Sequence, residues 1–156
     1  MQTNLLIKYV VSLLRSCAVR VFAACLLCNV AQAQNDEVPM VVIAHPGTSR
    51  DAIPRESLRA IFGMLLHKWP ADTPVRVFVL RDDAPEHATF SKTILQVFPH
   101  QLRMAWDRQV FSGQGQYPEQ LGSTQEILVR VATTPGAMGY VKANEVNQNV
   151  RVLRIR

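Results

Sequence analysis

Hydrophobic positions after residue 37 follow two different periods along the chain. Residues 40–44 and 75–80 are short, almost continuous apolar runs, which are typical of strands buried on both faces of a sheet. Between these runs, apolar residues recur at the i, i+3, i+4, i+7 spacing of an amphipathic helix. Its apolar positions are Leu58, Ile61, Phe62 and Leu65.

Helices and strands continue to alternate in the second half of the chain. Two helical stretches follow the strand at 75–80, and a Ser-Thr-Gln-Glu capping box at 123–126 opens a further helix. Strands at 138–141 and 150–155 complete the pattern. Alternating strands and helices predict an α/β fold with a largely parallel sheet.

Large aromatic side chains are predicted for the core. Those among apolar neighbours or at helix ends are Phe62, Trp69, Trp106 and Phe111. In such positions core packing is commoner than stacking on a ligand. We therefore assign none of the four to a ligand site.

The first 33 residues have a composition of their own. Basic residues precede an apolar run at 21–31, and Ala31-Gln32-Ala33 places small residues before a cleavage site. This pattern predicts a secretory signal peptide over 1–33, cleaved after Ala33, and an exported, periplasmic domain over 34–156. A retained membrane anchor over 5–30 is the alternative interpretation of the same segment.

All three cysteines, Cys17, Cys25 and Cys28, lie within this leader. The predicted mature domain therefore has no disulfide, no zinc–cysteine site and no cysteine nucleophile. Residues 22–25, Phe-Ala-Ala-Cys, also resemble the processing signal of a bacterial lipoprotein. Lipid anchoring at Cys25 is thus a second alternative for this end of the chain.

The leader also accounts for most of the positive charge. The whole chain has a formal net charge of +5 and a pI near 9.5, a balance often found in nucleic-acid-binding proteins. Without Lys8, Arg15 and Arg20, 14 basic residues face 12 acidic ones and the net charge is +2. Nucleic acid is therefore not expected as a partner.

Signatures of common enzymes and metal sites are absent from the sequence. There is no Gly-x-Ser-x-Gly elbow, no Gly-x-x-x-x-Gly-Lys phosphate loop and no His-Glu-x-x-His motif. No two histidines stand at metal-ligand spacing, and each is interpreted as a surface or turn residue. They are His45, His67, His87 and His100. We expect neither an enzyme nor a bound metal or cofactor.

The segment that follows the strand at 75–80 is the candidate binding site. Residues 81–90 lead directly from a buried strand into a helix, and ligands of α/β sheets usually bind at such a junction. A helix N-terminus presents unpaired N–H groups and the positive end of a dipole, both of which suit an anion. Ordinary capping is the competing interpretation, with Asp83 as the N-cap and Glu86 in the first turn.

Motifs along most of the mature chain resemble those of the phosphate-binding proteins of ABC importers and their short, single-lobe relatives. They are Leu-x-x-Ile-Phe-Gly at 58–63, Trp-Pro-Ala-Asp at 69–72, Arg-x-Asp at 81–83, Trp-x-x-x-x-Phe-x-Gly-x-Gly-x-x-Pro at 106–118 and Pro-Gly-Ala-Met-Gly-Tyr-Val at 135–141. The resemblance implies a single lobe of a type 2 periplasmic-binding-protein fold, with a mostly parallel sheet flanked by helices.

The resemblance also implies a ligand and a set of residues that bind it. The ligand would be phosphate or a similar small oxyanion, and the partner an ABC importer permease. Arg81 and Asp83 match the Arg and Asp of the family's Arg-x-Asp-Gly-Ser-Gly-Thr loop. With nearby hydroxyl and imidazole groups included, the candidate ligand-binding residues are Arg81, Asp83, His87, Thr89, Thr48 and Ser49.

The same loop departs from the family pattern. Ala84 replaces the glycine, and Pro85 and His87 stand where the family has serine and threonine. Pro85 has no N–H to donate to an anion, and Glu86 adds a negative charge. A mature chain of one lobe would need a second lobe, from a homodimer or another protein, to bind an anion tightly. The alternative function is a periplasmic adaptor, or protein-interaction module, that keeps the fold but has lost anion binding.

Overall fold

A computed structural model of the protein describes residues 38–49, 51–69 and 72–156. The predicted signal peptide over 1–33, its alternative as an anchor and the lipidation site at Cys25 lie outside the described residues. The described residues belong to one structural unit, Val38–Arg156. None of their helices is long and apolar enough to cross a membrane.

Six strands of the described chain form one sheet. They are β1 (Met40–Ala44), β2 (Ala52–Ile53), β3 (Arg76–Leu80), β4 (Glu119–Leu121), β5 (Ala137–Lys142) and β6 (Arg151–Ile155). Their order across the sheet is β2-β6-β1-β5-β3-β4. β3 pairs in parallel with β4 and β5, and β2 pairs in parallel with β6. β1 runs antiparallel to both β5 and β6. The sheet is therefore mostly parallel, as predicted, with one reversed strand near its centre.

Helices flank this sheet and connect its strands. The α-helices are α1 (Arg55–Phe62), α2 (Pro85–Phe90), α3 (Pro99–Phe111) and α4 (Thr124–Thr133). A π-helical turn, Ser91–Leu95, continues α2, and a 3-10 turn, Ala143–Glu145, follows β5. The predicted α/β class is confirmed.

The first helix is shorter than its apolar pattern predicts. α1 ends at Phe62, and Leu65, expected on its buried face, is 62% exposed. Met64 adopts the left-handed conformation, with φ of 58°, so the chain turns away before another helical turn is completed. The prediction for Leu65 is therefore wrong.

The serine half of the capping box predicted for α4 is confirmed, and the glutamate half is displaced by one residue. Ser123 Oγ accepts a hydrogen bond of 3.2 Å from the backbone N–H of Glu126. Glu126 Oε2 in turn accepts one of 2.9 Å from the N–H of Gly122. These bonds satisfy backbone donors that the helix itself leaves unpaired, and so they favour a helix start at Thr124.

Apolar side chains cover β5 on both faces. Gly139 leaves the space into which Ile127 and Val131 of α4 pack. Successive strand residues point to opposite faces, and on the other face the ring of Tyr140 stacks on Phe90 with centroids 3.8 Å apart. The strand predicted at 138–141 is therefore confirmed, and the structure shows that it is buried.

Three of the four aromatic residues predicted for the core are buried. Phe62 and Trp106 are fully buried, and Trp69 is 8% exposed. Phe111, the last residue of α3, is 84% exposed, so its assignment to the core is wrong. A residue at the end of a helix has fewer neighbouring elements to cover it, which the local apolar pattern does not reveal.

Candidate functional site

The candidate residues fall at two opposite ends of the sheet. We call the end where β3, β4 and β5 stop the carboxyl end, and the end where they start the amino end. Residues 81–89 follow β3 and lie at the carboxyl end. Residues 48 and 49 follow β1, which runs the other way, since Met40 pairs with Lys142 and Ala44 with Met138.

The structure therefore does not bring Thr48 and Ser49 to the loop that carries Arg81. The sequence analysis treated these hydroxyls as donors to the same anion as Arg81. That expectation assumed that β1 ends where β3 ends, as it would in a fully parallel sheet. The reversal of β1 places the two hydroxyls at the amino end instead, where they line a pocket of about 340 Å³.

Arg81 and Asp83 form an exposed pair at the carboxyl end. Arg81 Nε lies 3.3 Å from Asp83 Oδ1, and the two side chains are 70% and 74% exposed. Exposed ion pairs of this kind contribute little to stability, because water competes for both partners. The Arg81 guanidinium is therefore available to a ligand at small energetic cost.

Asp82, which the sequence analysis did not single out, holds the loop to its neighbours. Its Oδ1 accepts a hydrogen bond of 3.0 Å from Gln120 Nε2 on β4. Its Oδ2 lies 3.2 Å from Arg103 Nη1 on α3. These residues are far apart in the sequence, and no local pattern connects them. The loop thus has a fixed position relative to β4 and α3.

No side chain caps the N-terminus of α2. Ala84 is the N-cap with an extended backbone, Pro85 is the first helical residue, and no capping hydrogen bond from a side chain is present. The interpretation of Asp83 as N-cap is therefore wrong. Pro85 lacks an N–H, so the first amide that this helix end offers is that of Glu86.

The carboxylate of Glu86 lies beside this helix end. Its Oε1 is 3.0 Å from Lys142 Nζ at the end of β5. The pKa of Glu86 is lowered, first by the hydrogen bond from Lys142 and then by a hydrogen bond from its own backbone N–H. The negative group that meets the positive end of α2 thus belongs to the chain itself.

His87 is buried and faces the core. Its Nδ1 lies 2.6 Å from Tyr140 Oη, and that oxygen accepts a hydrogen bond of 2.9 Å from the N–H of Leu80. The tyrosine hydroxyl can both donate and accept, so the donor of the Nδ1–Oη hydrogen bond is set by the tautomer of the imidazole. Nε2 has no hydrogen-bond partner among the described residues.

Burial has opposite effects on the two members of this pair. Desolvation lowers the pKa of His87 and raises the pKa of Tyr140, so both groups stay neutral near pH 7. The interpretation of His87 as a surface or turn residue is wrong. The structure places its ring beneath the loop, out of direct reach of a ligand in solution.

Thr89 lies farther along α2. It is the fifth residue of the helix, and its carbonyl accepts a hydrogen bond of 2.8 Å from Thr93 Oγ1. It lies three residues after Glu86, whose N–H is the first amide that the helix start offers. Of the six candidates, the structure brings only Arg81 and Asp83 together as exposed neighbours at the carboxyl end.

Comparisons with known proteins agree with this architecture. No protein-family model and no curated protein matches the sequence. Solved structures do match: an ABC-type phosphate transport receptor from Vibrio cholerae has a TM-score of 0.59 and 12% identity. PstS from Borrelia burgdorferi has a TM-score of 0.59 and 16% identity. This chain has the fold of a phosphate-binding-protein lobe.

The likeness covers most of this chain and less than half of its neighbours. A putative phosphate ABC transporter substrate-binding protein with bound phosphate from Clostridium perfringens has a TM-score of 0.56 and 16% identity. The match to it covers 75% of this chain and 44% of that one. The match to the Vibrio cholerae structure covers 75% of this chain and 46% of that one. The match to the Borrelia burgdorferi structure covers 76% of this chain and 47% of that one.

Proposed function

We propose that this chain is an exported, periplasmic solute-binding lobe that takes phosphate or a similar small oxyanion at its carboxyl end. The observation that carries the proposal is the exposed Arg81 guanidinium next to a helix N-terminus that no residue before the helix caps with its side chain. The structural neighbours named for phosphate transport support the choice of ligand. Metal and cofactor play no part in this proposal.

Binding would exchange one set of ionic contacts for another. Arg81 would leave Asp83 and donate charge-assisted hydrogen bonds to the oxyanion. The backbone N–H of Glu86, now bonded to its own carboxylate, would donate to the anion instead. Lys142 would then be close enough to add positive charge as Glu86 swings away. The Glu86 carboxylate is thus an internal competitor of the ligand.

A partner would complete the site. The chain spans less than half the length of the neighbours, and its carboxyl end is an open surface in which an anion would stay partly hydrated. Hydration weakens each hydrogen bond to the anion. We therefore propose that a second lobe, from another copy of this chain or from a different protein, closes over the ligand, and that an ABC importer permease receives it.

Two arginines at opposite ends of β3 provide a matched test. Arg81→Gln should weaken phosphate binding by about tenfold or more, since it removes a charge-assisted donor. Arg76→Gln removes the same charge at the other end of β3, about 17 Å away, which exceeds the screening length of about 8 Å at physiological salt. Affinity in this control should stay close to that of the wild type.

Isothermal titration and thermal unfolding, at constant ionic strength, would measure these affinities. A ligand at about 100 times its dissociation constant stabilises the folded state by about 2.7 kcal/mol. Phosphate, arsenate, sulfate and molybdate form the panel. Unchanged affinity in Arg81→Gln would refute the assignment of the site, and a wild type that responds to no anion would refute the proposed ligand class.

One observation favours the alternative, a periplasmic adaptor that has lost anion binding. The cations at the carboxyl end are already paired with carboxylates of the same chain, among them Lys142 with Glu86 and Arg103 with Asp82. An anion would have to displace such a carboxylate before it could bind. The same surface, with its mixed charges, would suit a protein partner.

Substitution of Glu86 separates the two functions. Glu86→Gln removes the competing negative charge from the start of α2, so phosphate affinity should rise by about two- to fivefold, the effect of one charge at a helix N-terminus. Titration calorimetry of the variant against the wild type would measure the change. If neither protein binds any anion of the panel, the adaptor becomes the better explanation.

A further inference from the structure

A pocket at the amino end of the sheet lies apart from the proposed oxyanion site. It has a volume of about 340 Å³, which lies within the range of small-molecule sites. Trp69, Thr73 and the loop after β1 form its walls, together with Pro135 and Gly136 at the start of β5. The length of β3 separates it from Arg81.

Hydrogen bonds hold the walls of this pocket in place. The indole Nε1 of Trp69 donates to the carbonyl oxygen of Gly136 at 2.9 Å. The backbone N–H of Trp69 donates to the carbonyl of Thr73 at 2.7 Å. Gly136 has a φ of +76°, and a Cβ there would collide with the carbonyl oxygen of Pro74. The aromatic wall is therefore fixed before any ligand arrives.

One polar group of the pocket is buried without a partner. Thr48 is 9% exposed, and its Oγ1 has no hydrogen-bond partner among the described residues. Buried hydroxyl groups are nearly always paired, and an unpaired one calls for an explanation. Oγ1 is covered in this structure, so a ligand in the pocket would reach it only after the Thr48 side chain changes rotamer.

Further donors and acceptors surround Thr48. His45 Nδ1 accepts a hydrogen bond of 3.0 Å from the N–H of Gly47, so its Nε2 carries the proton of the neutral ring. Ser49 and Thr73 add hydroxyl groups to the wall. The described lining residues contain no lysine, arginine, aspartate or glutamate. A ligand with a formal charge would find no charged partner among them.

We propose that this pocket binds a small, uncharged, ring-shaped polyol, such as a monosaccharide or a cyclitol. One face of the ring would pack against the indole of Trp69, and ring hydroxyls would pair with Thr48 Oγ1 and its neighbours. Each hydroxyl of such a ligand both donates and accepts, which matches a wall of hydroxyl and imidazole groups. This site is independent of the oxyanion site, so either proposal can fail alone.

The two tryptophans of the chain provide a test with an internal reference. Trp69 lines the pocket. Trp106 is fully buried elsewhere, and its Nε1–H donates to the backbone carbonyl oxygen of Phe62. In ¹H–¹⁵N spectra the two indole signals are assigned with the Trp69→Phe variant. D-glucose, D-ribose and myo-inositol are titrated to about 50 mM, which reaches millimolar dissociation constants. D-glucuronate is the charged counterpart.

The proposal expects a saturable shift of the Trp69 signal with at least one neutral probe, and no shift of the Trp106 signal. D-glucuronate should bind about tenfold more weakly than D-glucose, because its carboxylate must be desolvated without a charged partner. No saturable shift with any of the neutral probes would overturn the proposal, and so would equal shifts of both indole signals.

Thr48→Val is the decisive variant, because it keeps the shape of the side chain and removes the hydroxyl. It should raise the dissociation constant of the neutral probe by about tenfold, the effect of one lost hydrogen bond. The variant should remain folded, since it removes an unpaired buried group and none of the hydrogen bonds described here. Thr93→Val, in the π-helical turn outside the pocket, is the control. Retained affinity in Thr48→Val would overturn the assignment.

Discussion

The hydrogen bond between His87 Nδ1 and Tyr140 Oη connects the candidate loop to the core. It is a contact between single residues, and it makes the stability of the fold depend on pH. Because burial lowers the pKa of His87, the folded protein keeps this imidazole neutral in mildly acidic solution. In the unfolded chain the same imidazole takes up a proton below about pH 6.5.

From this difference the direction of the pH dependence follows. The unfolded state binds more protons than the folded state between about pH 6.5 and the lower pKa of folded His87. The free energy of unfolding should therefore decrease as pH falls through this window. Urea unfolding across the window would measure the slope, and His87→Gln, which keeps an acceptor near Tyr140, should reduce it. If the same slope is measured in the variant, the pH dependence of stability comes from another group.

Other residue-scale features differ in how far local sequence predicts them. The loop after β3 was found because it directly follows an apolar run, and Arg81 and Asp83 were chosen within it because they match the Arg-x-Asp motif of the family that the sequence resembles. The pairs of Asp82 with Arg103 and Glu86 with Lys142 join residues that are distant in the chain. The burial of His87 likewise depends on elements that pack over α2. Such contacts depend on the tertiary arrangement, which hydrophobic periodicity does not encode.

The contact between α4 and β5 depends on the absence of a side chain at Gly139. A Cβ at Gly139 would lie 2.5 Å from Ile127 Cγ2 and 3.2 Å from Val131 Cγ2. Gly139→Ala should therefore force the helix outwards and lower the free energy of unfolding by about 1–3 kcal/mol. Chemical denaturation would measure this loss.

Gly122→Ala is the matched control for this substitution. A Cβ at Gly122 would meet only Glu126, at ordinary van der Waals distances of 3.6 Å or more. This change should leave stability unchanged or raise it by up to about 1 kcal/mol, because alanine has less conformational freedom in the unfolded chain. Equal losses in the two variants would show that the packing of α4 on Gly139 is not the cause.

Most elements were predictable, and the direction of one strand was not. The bounds predicted for β1 agree with the structure, because a proline precedes the five apolar residues and a His-Pro-Gly turn follows them. An apolar run does not show whether a strand lies parallel or antiparallel to its neighbours. That choice depends on pairing with β5 and β6, whose residues come about 100 positions later. For this reason Thr48 and Ser49 were assigned to the wrong end of the sheet.

At the scale of the whole molecule, the proposed oxyanion site would link ligand binding to assembly. If a second copy of the chain supplies a second lobe, phosphate should increase the dimer fraction, because a ligand shared between two copies stabilises their complex. Light scattering after size-exclusion chromatography, with and without phosphate, would measure this fraction.

Arg81→Gln serves as the control in that measurement. Its dimer fraction should not respond to phosphate. A wild type that binds phosphate and stays monomeric at all concentrations would exclude a second copy as the source of a second lobe.

The reversal of β1 has a practical consequence for how this domain is attached to anything else. Met40 pairs with Lys142 at the carboxyl end, and β6, antiparallel to β1, also finishes there. Val38 and Arg156 therefore both lie on the side of Arg81. A linker, bead or fusion partner joined at either residue would crowd the loop that carries Arg81 and leave the Trp69 pocket on the opposite side. Immobilised protein would thus report on the two proposed sites unequally.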